Sequence, residues 1–106
     1  MSFRWPNKDP DEQLDYSVDW SRFLGTGVTI SSVAWYINDA DGVKTSISSG
    51  ETVNNIQNVS NTKTNTVATI NIGGGINNTE YKFYCRMTDS TGSQAERVIK
   101  LRIKER

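Results

Sequence analysis

Histidine is absent from the 106-residue chain, and cysteine occurs once, at Cys85. The first absence removes the commonest general base, the usual zinc ligand sets, and both the Ser-His and Cys-His nucleophile pairs. The second leaves no intrachain disulfide, so the fold rests on packing alone and a secreted, disulfide-stapled module is excluded. No apolar run approaches the roughly 18 residues of a membrane-spanning helix, and Met1 to Pro6 lack the charged-then-apolar layout of a signal peptide. Synthesis in a cytoplasm and a soluble product are expected. Excess charge is missing too: 12 basic and 12 acidic residues give a formal +0, which leaves no global field to draw nucleic acid or an anionic membrane. A carboxylate pair of the glycosidase kind is the remaining route to hydrolysis, but it needs a deep cleft that a domain of this size rarely carves. Neither catalysis nor a cofactor nor a metal is expected.

What is present is β patterning. The hydrophobic content of 35% suits one domain that buries roughly two-thirds of its unfolded surface. Leu14, Tyr16, Val18 and Trp20 alternate with polar residues, as in a half-buried strand. Val28 to Ile37 reads as a long strand whose apolar parity switches between Val28-Ile30 and Val33-Trp35-Ile37. A bulge near Ser31-Ser32 would keep both sets inward. Asn38 to Gly42 reads as a hairpin connection, and Val43 to Ser48 as a short strand. Ser49 to Asn65 is rich in Asn, Ser and Thr, with Val53, Ile56 and Val59 as its apolar anchors, so short, edge-like strands are expected there. Ala68, Ile70 and Ile72 restore the alternation before a reversal at Gly73-Gly74-Gly75. Tyr81, Phe83, Cys85 and Met87 define the clearest strand, and after a turn at Asp89 to Ser93 the last strand points Ile99, Leu101 and Ile103 inward. Lys100, Arg102 and Lys104 form its outward row, which reads as a guard on a sheet edge.

About seven strands without helical periodicity indicate an all-β, antiparallel sandwich of immunoglobulin-like or fibronectin-III-like type. The expected core comprises Leu14, Tyr16, Val18, Trp20, Val33, Trp35, Ile70, Ile72, Tyr81, Phe83, Cys85, Ile99, Leu101 and Ile103. Residues 1–12 read as an extended arm, since Pro6 and Pro10 remove backbone donors and favour extended neighbours, and 13–106 as a single sandwich domain.

Several motifs have mundane readings. Asp39-Ala40-Asp41-Gly42 resembles a fragment of a calcium loop, yet Gly50 stands where such a loop places its bidentate glutamate, so a solvated hairpin is expected. The acidic cluster Asp9, Asp11, Glu12, Asp15 and Asp19 is explained by solvent-facing positions, and the basic cluster Arg97, Lys100, Arg102, Lys104 and Arg106 by edge guarding. Asn58-Val59-Ser60 and Asn77-Asn78-Thr79 fit the glycosylation pattern but would not meet the machinery without a signal peptide. Cys85, between Phe83 and Met87, reads as a small apolar core group. Phe3, Trp5 and Pro6 are different in kind, being large apolar groups that precede the first strand. The arm either folds back over its own sandwich or docks on another chain.

The run from Trp5 to Trp20, with its Lys8-Asp9-Pro10-Asp11-Glu12 and Leu14-Asp15-Tyr16-Ser17-Val18-Asp19-Trp20 elements, resembles a family of small tailed-bacteriophage virion proteins described as fibre-tail adaptors. Weaker resemblance continues through Ser32-Val33-Ala34-Trp35, the glycine corner, Thr79-Glu80-Tyr81 and the closing strand from Glu96 to Ile103. The resemblance implies a structural role on the tail, bridging tail tube or nozzle proteins to fibres or spikes. Partners would be other virion proteins and neighbouring copies in a symmetric ring, where weak contacts sum. The alternatives are a head or collar decoration protein, a carbohydrate-binding sandwich and, least favoured, a small hydrolase.

Within that reading, the arm is expected to contact a neighbouring protein through Phe3, Trp5, Pro6, Asp9, Pro10, Asp11 and Glu12. Roughly ten extended residues reach about 30 Å, enough to cross to another subunit. Deletion of residues 2–10 would then leave a folded monomer that no longer joins the particle.

Overall fold

The computed structural model describes residues 3–105, which contain nine strands and no helix. In chain order these are β1 (Phe3–Arg4), β2 (Leu14–Asp19), β3 (Ile30–Asn38), β4 (Lys44–Ser46), β5 (Thr52–Val53), β6 (Ile56–Lys63), β7 (Val67–Gly74), β8 (Thr79–Asp89) and β9 (Gln94–Ile103). They form two sheets, ordered β1-β9-β8-β3-β4 and β2-β7-β6-β5, whose inward faces share one hydrophobic core. The fold is an all-β sandwich. It has nine strands where about seven were expected because β1 and β5 span two residues each, too short to leave a periodic signal.

Alternation builds the core as it does in any sheet with one wet face. Tyr81, Phe83, Cys85 and Met87 of β8 are buried while Lys82 and Arg86 between them are exposed. Ala68, Ile70 and Ile72 of β7 and Ile99, Leu101 and Ile103 of β9 meet them from the same interior. Of the expected core residues, Leu14 and Val33 are half-buried at its margin and the rest are buried. The register of β3 against β8 shifts between Ile30 and Ser32, and this bulge brings Ile30, Trp35 and Ile37 all inward.

The Asn-rich stretch departs from expectation. It carries β6, an eight-residue strand paired with β7 through a bulge between Asn58 and Ser60. Ile56 is fully buried, and so is Asn58, whose amide donates to the Ile47 carbonyl at 3.0 Å and to Asn61 Oδ1 at 2.9 Å. A buried amide with such partners behaves as a core residue but counts as polar in any hydropathy pattern.

β9 is not a sheet edge, which is the second departure. β1 lies parallel beside it, Phe3 opposite Ile99 and Arg4 opposite Lys100. The covering continues as the Trp5 N–H donates to Lys100 O (2.9 Å), the Lys8 N–H to Arg102 O (3.0 Å) and the Lys104 N–H to Lys8 O (2.8 Å). The basic row therefore guards no open edge; Lys100 and Arg4 both approach Glu80, at 4.0 and 2.8 Å.

The corner after β7 is closed by backbone chemistry. Gly74 and Gly75 have φ of +75° and +109°, and a Cβ on Gly75 would come within 2.8 Å of Ile103 Cγ1. The Tyr81 hydroxyl bonds back across this corner, donating to Asn54 O at 2.9 Å and accepting from the Ile76 N–H at 3.0 Å.

The β8–β9 hairpin turns on Asp89, whose Oδ1 accepts from the Thr91 hydroxyl (2.6 Å) and the N–H groups of Thr91 (2.9 Å) and Ser93 (3.0 Å). The Thr91 hydroxyl above all, with the turn amides, holds this carboxyl below its ordinary 3.8. A carboxylate with a depressed folded-state pKa contributes stability that is complete above the unfolded value and is lost as pH falls through the folded one. Thermal melts between pH 6 and about 3 should show a shallower acid slope for Asp89→Asn than for the wild type. The slope should not vanish, because Asp19 and Glu80 are shifted down as well.

Candidate interaction surface

The segment from Phe3 to Glu12 is built into the fold rather than standing away from it. Once β1 is registered on β9, the next side chain turns inward, and Trp5 enters the gap between the two sheets. Its ring stacks on Tyr16 at 4.9 Å and lies 5.4 Å from Phe83, and its Nε1–H donates to Ser17 O at 3.0 Å. Trp5 thus serves its own core, which corrects the expectation that its ring is available to a neighbouring chain. The physical reason is that the parallel register of β1 on β9 points Trp5 inward, where its ring finds Tyr16 and Phe83 and its N–H finds an acceptor.

Lys8 is fully buried and reaches the glycine corner, where Nζ donates to Gly74 O at 2.7 Å and to Asp9 O at 2.9 Å. Burial pulls its pKa below the ordinary value, while Glu12, Asp9 and Asp11 pull it back up. The acidic residues that follow form a turn. The Asp9 N–H donates to Glu12 Oε1 (2.8 Å), the Glu12 N–H to Asp9 O (3.0 Å) and the Asp11 N–H to Asp9 Oδ1 (2.9 Å). The Lys-Asp-Pro-Asp-Glu element is therefore a structural corner that ties the N-terminal segment to the end of β7.

The expected contact residues do not gather into one patch. Phe3 is 40% exposed at one end of the segment. Pro6 is exposed midway, its carbonyl accepting from the Tyr16 hydroxyl at 3.2 Å, and Asp11 is exposed at the far turn, with Asp9, Pro10 and Glu12 half-buried around it. Phe3 and the acidic turn are roughly 20 Å apart by the rise of an extended chain.

Around Phe3, however, the fold assembles residues that the sequence alone did not bring together. Arg97 pairs with Cys85 across β8 and β9, so it shares the inward parity of Ile99 and Leu101 although it is charged. Its guanidinium emerges at the mouth of the sandwich, 4.9 Å from the Phe3 ring centroid and 4.6 Å from that of Trp20, and Nη1 donates to Asp19 O at 3.1 Å. Phe23, 49% exposed, packs edge-on against Trp20 at 5.7 Å. Phe3, Arg97, Trp20 and Phe23 form a continuous layer beside a cleft of about 260 Å³ bounded by Phe3, Arg4, Ser17 and Asp19. Asp19, Ser21 and Arg22 line its continuation. The sequence reading put Arg97 with the edge-guarding row, yet its parity is that of Ile99 and not of Lys100; Phe23 carried no such signal.

The outer face of the five-stranded sheet offers a different arrangement. Tyr36 and Tyr84 face each other across β3 and β8, but Lys44 Nζ lies 4.9 and 4.8 Å from their ring centroids and Arg86 lies 5.6 Å from that of Tyr36. Cations already cover these rings, which weighs against their use as a sugar-stacking platform. Asp39 Oδ1 accepts from the N–H groups of Asp41 and Val43, both at 2.9 Å, so this carboxylate organises the hairpin. Among the described residues, no three acidic or thiol side chains converge on a metal position. Chelator should accordingly leave the melting temperature unchanged, and a rise of several degrees on adding calcium would point to Asp39 and Asp41. Cys85 is fully buried, and burial pushes its thiol up to about 11, so a thiol reagent at pH 8 should label it only as the domain unfolds. The arrangement as a whole is equipped for recognition by stacking, hydrogen bonding and charge.

No curated protein matches the chain. Residues 8–102 match the family described as podophage GP4 fiber-tail adaptor protein gp77. Because that match runs from the buried Lys8 corner into β9 and covers most of the 106 residues, the chain belongs to the podophage fiber-tail adaptor family.

Proposed function

We propose that this protein is a non-enzymatic structural component of the phage tail that joins tail tube or nozzle proteins to fibres or spikes. The observation that carries this reading is the family match over residues 8–102. A neutral domain finds such partners through surface patches and edges, and several copies in a symmetric ring let individually weak contacts sum. The protein is made in the host cytoplasm and resides in the virion tail. An immunoglobulin-like connectivity is supported by the β9-β8-β3-β4 and β2-β7-β6 orders and by β1 lying parallel to β9.

The N-terminal segment is the proposed contact region, with a narrower set of residues than the sequence suggested. Phe3, Pro6 and Asp11 are exposed and available to a neighbour, whereas Trp5 acts by holding the segment in place. A photo-crosslinking residue at position 3 or 11, in assembled particles, tests the assignment. Crosslinks to tail, fibre or spike proteins are expected; crosslinks confined to head or collar proteins would replace the adaptor role with decoration.

A further inference from the structure

We propose that the cleft at the mouth of the sandwich, between the β1 and β2 edges, is a receptor for an acidic segment of a neighbouring tail protein. This deepens the adaptor reading and rests on it for the kind of partner.

The case begins with Arg97. A guanidinium carries five N–H donors in a fixed plane, and here it packs against two rings, 4.9 Å from the Phe3 centroid and 4.6 Å from that of Trp20. The one hydrogen bond it makes among the described residues is to Asp19 O. Arg4, Lys44, Arg86 and Lys100 each lie within ion-pair distance of a glutamate. Among the described residues, neither Arg97 nor Arg22 has a carboxylate that close. Asp19 is the acidic group beside them, and its Oδ1 is turned toward the Ser21 N–H at 2.9 Å. Two arginines against one engaged carboxylate leave the cleft with a local positive excess in a chain whose formal net charge is +0.

A guanidinium already packed against aromatic rings loses less entropy than a free one on forming a two-point contact with a carboxylate. Its surroundings supply the rest of an anchor site. Phe3 lines the cleft and Phe23 packs beside it on Trp20, both still exposed, and aromatic residues with arginine are the composition of interface hot spots. The volume of about 260 Å³ admits a side chain or two rather than a folded element. The occupant that fits is therefore an aspartate or glutamate next to an apolar side chain on a loop or extended segment. A nucleic acid is the poorer fit, because a chain of formal net charge +0 offers no wide basic field to track a phosphate backbone.

The test uses the purified full chain and a short capped peptide alternating glutamate and leucine, read by tryptophan fluorescence and by amide shifts at residues 3, 19–23 and 97. Saturable binding that weakens with added salt is expected, with shifts confined to those positions. Arg97→Met keeps the apolar stem against Trp20 and should weaken binding about tenfold or more, as loss of a charge-assisted contact does. Arg22→Gln, at an exposed position, should weaken it several-fold without changing the melting temperature, and so decides the matter should Arg97→Met fail to fold. Absence of binding, equal binding by both variants, or preferential binding of oligothymidylate would overturn the proposal. Peptide binding together with crosslinks confined to head proteins would leave the receptor standing and remove the tail placement.

Discussion

Replacing Trp5 with alanine should destabilise the domain by about 3–5 kcal/mol, even though the residue lies upstream of the first long strand. The ring is buried between the sheets, stacked on Tyr16, and its Nε1–H satisfies Ser17 O at 3.0 Å. Truncation therefore opens a large cavity and leaves a carbonyl of β2 without its partner. For a domain of this size the loss is a large fraction of total stability. Equilibrium denaturation monitored by circular dichroism measures it directly. Deletion of residues 2–10 should be worse, because it also removes the buried Lys8 bonds to Gly74 and Asp9 and uncovers the β9 edge. A folded truncated monomer, the outcome expected of a free arm, would show that the segment only rests on the surface. Point variants at Phe3 or Asp11, not deletion, are consequently the way to separate docking from folding.

Phe83→Ala should cost a similar amount, about 3–5 kcal/mol, from the centre of the core. Phe83 is fully buried on β8, between Ile37 of β3 and Ile99 of β9 in register. With no disulfide in the chain to fall back on, the variant should melt far below the wild type or fail to fold at ambient temperature. Its ring lies 5.4 Å from that of Trp5, so the two substitutions should not be additive. In a double-mutant cycle the pair should cost less than the sum of the singles, since the second truncation enlarges a cavity already open. Strict additivity would mean that Trp5 and Phe83 do not share one packed interior.

The strands and their inward faces were legible wherever one residue type dominates one parity. Tyr81 to Met87 and Ile99 to Ile103 read correctly because a sheet with one wet face leaves a two-residue period that needs no tertiary information. The bulge near Ser31 was legible for the same reason, since a parity switch inside a strand has few other solutions. Asn58 defeated the pattern because its burial depends on the Ile47 carbonyl from the segment after β4 and on Asn61 beyond the bulge of its own strand, acceptors that only the folded backbone brings into reach.

The chain alone therefore determined the all-β class, the core parity, and the absence of histidine and disulfide chemistry, because composition and local periodicity act over a few residues. Tertiary structure decided everything that depends on which edges meet. Whether β9 ended a sheet or was covered, whether Trp5 faced a partner or its own core, and whether Arg97 guarded an edge or entered a cleft were set by one event. That event is the parallel docking of Phe3 and Arg4 on Ile99 and Lys100, a contact between the two ends of the chain that leaves no trace in the spacing of either.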